Sequence, residues 1–132
     1  MLESDRKYSC VIIDDEFSSV FMLSEYISLI PKLKLIKSYV DPASAIKELT
    51  NNAKIDFLFL DIHMQISGID VAKILRERAE IIVFITGYPE HALAAFGAEA
   101  DDFMVKPIDF RKFLNRINRL IIRSSLKPGE TR

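Results

Sequence analysis

Apolar residues follow two alternating patterns along this chain. Short, mostly apolar runs stop abruptly at polar residues, and the longer stretches between them repeat apolar positions every three or four residues. Tyr8 to Ile13 is the first short run, halted by Asp14-Asp15-Glu16. Ile55 to Leu60 is similar and ends on Asp61, and Ile81 to Ile85 runs into Thr86-Gly87-Tyr88-Pro89. Leu33 to Val40 alternates only in part, and Asp102 to Val105 is brief and leads to Lys106-Pro107. These five runs predict strands. Phe17 to Ile30 places Phe17, Val20, Phe21, Leu23, Ile27 and Ile30 at helical spacing, and Pro31 ends it. Asp41 is positioned to cap a second helix with Pro42 in its first turn, and Asn51-Asn52 is the stop. A loop with Ser67-Gly68 leads into a third helix from about Ile69 to Arg78. A short alanine-rich helix spans Glu90 to Glu99. Asp109 caps a fifth, whose apolar face is Phe110, Phe113, Leu114, Ile117, Leu120 and Ile121. The tail after Ser124 is polar, contains Pro-Gly, and is expected to fray.

Strands that are apolar throughout belong to a parallel sheet covered on both faces. Five of them alternating with five helices predict an α/β doubly wound fold with right-handed crossovers. The length, 132 residues, suits one domain, and there is no internal repeat. Hydrophobic residues make up 49% and charged residues 28%, which excludes a disordered tail. No uninterrupted apolar run exceeds five residues, far short of a membrane span. The opening Met1 to Lys7 lacks the apolar stretch of a secretory signal. A single cysteine, Cys10, has no internal partner, and its place in the first strand makes it a small core residue. The chain therefore reads as cytoplasmic.

The net charge of −1 gives no case for nucleic-acid binding, but the charge is uneven. Residues 106–132 carry eight basic and two acidic residues, which leaves the rest of the chain acidic. Part of that acid sits at the ends of apolar strands. In an open parallel sheet, ligands bind outside the carboxyl ends of the strands. Those ends present Asp14-Asp15, Asp61, Thr86 and Lys106-Pro107. Any one Asp after a strand is commonly a turn or cap residue. Three together, partly desolvated, repel one another and call for a cation. Mg²⁺ suits such a carboxylate set while leaving room for water and phosphate oxygens. Phosphoryl transfer needs positioning and charge neutralisation, which the metal, the Lys106 ammonium and the Thr86 hydroxyl supply.

The set Asp14-Asp15-Glu16, Asp61, Thr86-Gly87 and Lys106-Pro107 resembles the receiver domain of two-component response regulators. The separations fit: 46 residues from Asp15 to Asp61, 25 to Thr86 and 20 to Lys106. The resemblance covers about residues 8–123. The stretches FLFLDIHM, SGID, IIVFITGYPEHALAAF and DDFMVKPI are most similar to the LytR/AlgR type, which usually carries a LytTR DNA-binding domain. That domain is expected to be absent here, with residues 1–124 the receiver and 125–132 a tail or the start of a linker. The resemblance implies a CheY-like (flavodoxin-like) five-stranded parallel sheet of order 2-1-3-4-5, with helices on both faces. It implies Asp61 as phosphoacceptor for a sensor histidine kinase. Asp15 would be a direct Mg²⁺ ligand, Asp14 one mainly through water, and the backbone carbonyl of His63 a further one. Lys106 would pair with the phosphoryl group, with Pro107 a cis-proline candidate. Thr86 would move toward the phosphoryl group and Phe103 would swing inward with it. The face of the fourth helix, fifth strand and fifth helix would then signal to an output or a second copy. The domain would catalyse only its own phosphotransfer and dephosphorylation, and would bind neither nucleic acid nor membrane.

The chain departs from that pattern in places. Gln65 stands four residues after Asp61 where proline is usual, which loosens that loop. Gly87 follows Thr86 where alanine is also common, easing phosphate access, and Phe103 lacks the hydroxyl of a tyrosine. His63 and Tyr88 are expected to flank the site and screen an acyl phosphate from water rather than act as bases. Ala92, Leu93, Ala95 and Phe96 suit core or a partner surface. Arg111, Lys112, Arg116, Arg119 and Arg123 suit a solvated helix face. Other uses of these residue types fit less well. A haloacid dehalogenase-type phosphatase expects an Asp-x-Asp pair and its nucleophile on the first strand. An FMN carrier needs a phosphate loop that Asp14-Asp15-Glu16 would repel. A scaffold-only receiver has no need of Asp61, Thr86 and Lys106 together.

Overall fold

The computed structural model describes residues 6–51, 54–124 and 128. Asn52 and, apart from Pro128, the tail beyond Ser124 lie outside the described residues. The strands are β1 (Tyr8–Ile13), β2 (Leu33–Tyr39), β3 (Ile55–Leu60), β4 (Ala79–Thr86) and β5 (Asp102–Val105). The helices are α1 (Phe17–Ser28), α2 (Pro42–Leu49), α3 (Gly68–Leu75), α4 (Ala92–Gly97) and α5 (Phe110–Ser124). All strand pairs are parallel and the sheet order is β2-β1-β3-β4-β5, as expected. No described helix is long and apolar enough to cross a membrane.

Apolar strands become buried strands here because helices cover both faces. Every residue of β3 is buried, whereas β2, at one edge, keeps only its two ends buried. Alternate side chains feed two separate cores. One, beneath α1 and α5, holds Ile12, Phe57, Phe59, Val83 and Phe113. The other, beneath α2, α3 and α4, holds Ile13, Leu58, Leu60, Val71 and Phe84. Cys10 is fully buried in the first, and burial pushes its thiol up to about 12. Tyr26 of α1 donates its hydroxyl to the Ile108 carbonyl at 2.8 Å and packs against Phe110 and Phe113. That fixes the segment following Lys106-Pro107 against α1.

Several element ends differ from the sequence expectation. α1 stops at Ser28, before Pro31 is reached. α3 ends at Leu75, and Arg76–Arg78 form a 3₁₀ turn instead. Arg76 is drawn away to hold the carbonyls of Ala79, Glu80 and Glu99. β4 extends beyond Ile81–Ile85 at both ends. The stretch from Glu90 to Glu99 divides into a 3₁₀ turn, Pro89–His91, and α4, which Glu99 terminates at φ 62°. Caps at Asp41 and Asp109 form as expected: Asp41 accepts from the Ala43 N–H and Asp109 from the Lys112 N–H.

Candidate functional site

Asp14, Asp61 and Lys106 each directly follow a strand, and a single backbone rung to a neighbouring strand places each of them. The Asp14 N–H binds the Tyr39 carbonyl of β2 at 3.0 Å. The Asp61 N–H binds the Ile13 carbonyl of β1 at 3.0 Å. The Lys106 N–H binds the Thr86 carbonyl of β4 at 2.8 Å. The order β1-β3-β4-β5 therefore sets four functional positions side by side.

The side chains converge. One carboxylate oxygen each from Asp14, Asp15 and Asp61 lie within 4.8 Å of one another. Asp14 and Asp61 are buried and Asp15 is exposed. Lys106 Nζ reaches Asp14 Oδ2 at 2.9 Å, Glu16 Oε1 at 2.9 Å and Asp61 Oδ2 at 3.4 Å. Two of the aspartates also hold the turns that follow their strands. Asp14 Oδ1 accepts from the Glu16 N–H at 3.0 Å, and Asp61 Oδ1 from the Ile62 N–H at 2.7 Å. In both, one oxygen belongs to the backbone and the other to the site.

Four carboxylates and one ammonium leave an excess of negative charge. Burial, the largest effect, pushes the Asp14 carboxyl up to about 6; hydrogen bonds from Glu16 and Lys106 offset part of it, and the Asp61 charge adds to it. Burial works against the Lys106 charge, but hydrogen bonds to Asp14 and Glu16 and the charge of Asp61 prevail and raise its pKa. The Lys106 contact holds Glu16 below the usual carboxylate range. Oxygen ligands on a small divalent cation with bonds of about 2.0–2.1 Å lie about 2.9–4.2 Å apart. The three carboxylates, all within 4.8 Å of one another, are close enough to share one such ion directly or through water.

The Thr86 hydroxyl is fully buried and is the one buried side-chain polar atom among the described residues without a hydrogen-bond partner. Gly68 abuts the same loop: a Cβ there would lie 1.8 Å from the Asp61 carbonyl oxygen, so only glycine fits. At Gly87 a Cβ would meet nothing within 4 Å. The Lys106–Pro107 peptide bond is cis. Phe103 is half-buried on β5 and packs against the core beneath α3 and α4. The basic face of α5 is only partly free, since Arg116 pairs with Asp102 and Arg123 holds the Asp101 carbonyl. On α4, Ala95 is core, whereas Leu93 and Phe96 are exposed.

His63 and Tyr88 do meet beside the site, stacked at 3.8 Å and 15°. Sequence reasoning missed two partners. Glu16 shares the Lys106 ammonium, and its place beside Asp14-Asp15 was the available signal. His91 faces His63, and it is the only other histidine in the chain.

The family model described as "Response regulator receiver domain" matches residues 10–118. Protein MrkE of Klebsiella pneumoniae is 33% identical over 120 residues, covering 89% of this chain and 44% of that protein. Sensory transduction protein LytT of Enterococcus faecalis is 34% identical over 123 residues, covering 91% and 49%. The chain thus spans about half the length of these curated relatives. The crystal structure of the response regulatory domain of MrkE superposes with a TM-score of 0.79 at 32% identity, covering 89% of this chain and 98% of that one. The Thermotoga maritima protein TrrA, crystallised in complex with Mg²⁺-BeF, gives a TM-score of 0.72 at 25% identity, with coverage of 86% and 98%.

Proposed function

The chain belongs to the response regulator receiver domain family, and from that premise we propose that it accepts a phosphoryl group on Asp61 from a histidine kinase. The observation that carries this is the arrangement around Asp61. A buried carboxylate with one oxygen tied to the backbone has its other oxygen beside an ammonium and two further carboxylates. Asp61 Oδ2 attacks the phosphorus of a phosphohistidine, the P–N bond breaks, and the imidazole leaves. Lys106 neutralises charge on the transferring group, and the Thr86 hydroxyl, which has no other partner, turns to a phosphoryl oxygen. Asp14, Asp15, Asp61 and the His63 carbonyl would hold Mg²⁺. When bound, Mg²⁺ supplies neutralisation of the excess negative charge of the carboxylates and phosphoryl oxygens. The domain catalyses its own phosphotransfer and dephosphorylation and turns over no other substrate.

Residues 1–124 are the proposed domain unit. Movement of Thr86 and Phe103 would pass the signal to the α4-β5-α5 face, for a second copy or an output. The likeness to LytT and to the transcriptional regulatory protein YpdB of Escherichia coli supports a LytTR-type transcriptional output, and a cytoplasmic location is proposed with it. The test is the intact mass of the protein after incubation with Mg²⁺ and acetyl phosphate, beside Asp61→Asn. A phosphoryl adduct on the wild type alone is expected. No adduct on either folded protein would overturn the reading.

A further inference from the structure

The chain has two histidines, and the fold brings them together. His63 lies in the loop after β3 and His91 in the 3₁₀ turn before α4. Their Nε2 atoms are 2.8 Å apart, with ring centroids at 4.8 Å. Tyr88 stacks on His63 and sets that ring's orientation. Both rings border an open cleft of about 410 Å³, which Asp15, Met64 and Ser67 also line.

We propose that His63 and His91 form a second metal site, chemically distinct from the acidic one, for a divalent transition ion such as copper(II) or nickel(II). Two imidazole nitrogens on one ion, with bonds of about 2.0 Å, are about 2.8 Å apart at right-angle positions and about 3.3 Å apart in a tetrahedron. The observed separation matches the first. In the metal-free pair it is an imidazole–imidazole hydrogen bond; an ion takes the place of the shared proton, the half-buried His91 turning so that its lone pair and that of the exposed, Tyr88-stacked His63 meet at one ion. The cleft has room for water as further ligands. The two sites sort ions by ligand chemistry, since Mg²⁺ prefers oxygen and copper(II) or nickel(II) binds imidazole strongly. An ion bound there ties the loop after β3 to the segment before α4 and so restrains the Thr86-Gly87-Tyr88 stretch between them.

The experiment is titration of the untagged chain with copper(II) in excess Mg²⁺, followed by electron paramagnetic resonance. The spectrum should show hyperfine coupling to two imidazole nitrogens at one equivalent. His91→Ala should lose one coupling and bind at least about tenfold more weakly, and His63→Ala should do the same. Copper held by the carboxylates alone would give an oxygen-ligated spectrum without nitrogen coupling. That spectrum in the wild type, or binding unchanged in both variants, would overturn the proposal. The readout does not depend on phosphorylation, so its failure leaves the Asp61 assignment standing.

Discussion

Thr86 and Asp14 are residues whose burial costs the resting fold something. A buried hydroxyl with no partner forgoes the hydrogen bonds it makes in water, a penalty of about 1–3 kcal/mol. Thr86→Val keeps the shape and removes that group, so it should raise stability by about 1 kcal/mol in urea unfolding while removing the proposed phosphoryl contact. Asp14 is the charged counterpart. Its folded-state carboxyl titrates near 6 against an ordinary 3.8, because burial favours the protonated form. A raised acid stabilises the fold at pH below its unfolded value, and that contribution is lost as pH rises through the folded one. Between pH 4 and 6 the loss is about 2 kcal/mol, and little more is lost above 6. Thermal melting without divalent ions should therefore show Asp14→Asn gaining on the wild type as pH rises from about 4 to 6 and levelling off above it. Glu16 titrates in the opposite sense but is common to both proteins. Saturating Mg²⁺ should narrow the gap by compensating the wild-type charge.

Among the elements, α4 is held most lightly. It has six residues, no side-chain N-cap and one buried residue, Ala95, while Leu93 is 89% exposed. Every residue of β3 is buried. Native-state hydrogen exchange should accordingly find the amides of α4 among the fastest of any helix and those of β3 among the slowest. The same contrast explains what could be read in advance. β1, β3 and β4 were legible because runs such as IDFLFL and IIVFI suit only a strand covered on both faces. α2 and α5 were legible because Asp41 and Asp109 cap locally. The ends of α3 and α4 were not, since they depend on Arg76 reaching the distant Glu99 carbonyl and on the positive φ of Glu99.

At the scale of the whole molecule, the site was legible to the extent that a parallel sheet gathers strand ends at one edge. Asp14, Asp15, Asp61, Thr86 and Lys106 could be placed there from sequence alone. Contacts between loops could not, and the Lys106–Glu16 and His63–His91 pairs are of that kind. The sheet that gathers the site also divides the interior. Leu58 and Phe59 are consecutive, yet Leu58 belongs to the core beneath α3 and Phe59 to the core beneath α5. Phe59 instead meets Phe113, with ring centroids 5.4 Å apart. In a double-mutant cycle, the costs of Leu58→Ala and Phe59→Leu should add to within about 0.5 kcal/mol. Those of Phe59→Leu and Phe113→Leu should miss additivity by at least about 0.5 kcal/mol. A strand residue thus packs apart from the neighbour it is bonded to and against one near the far end of the chain.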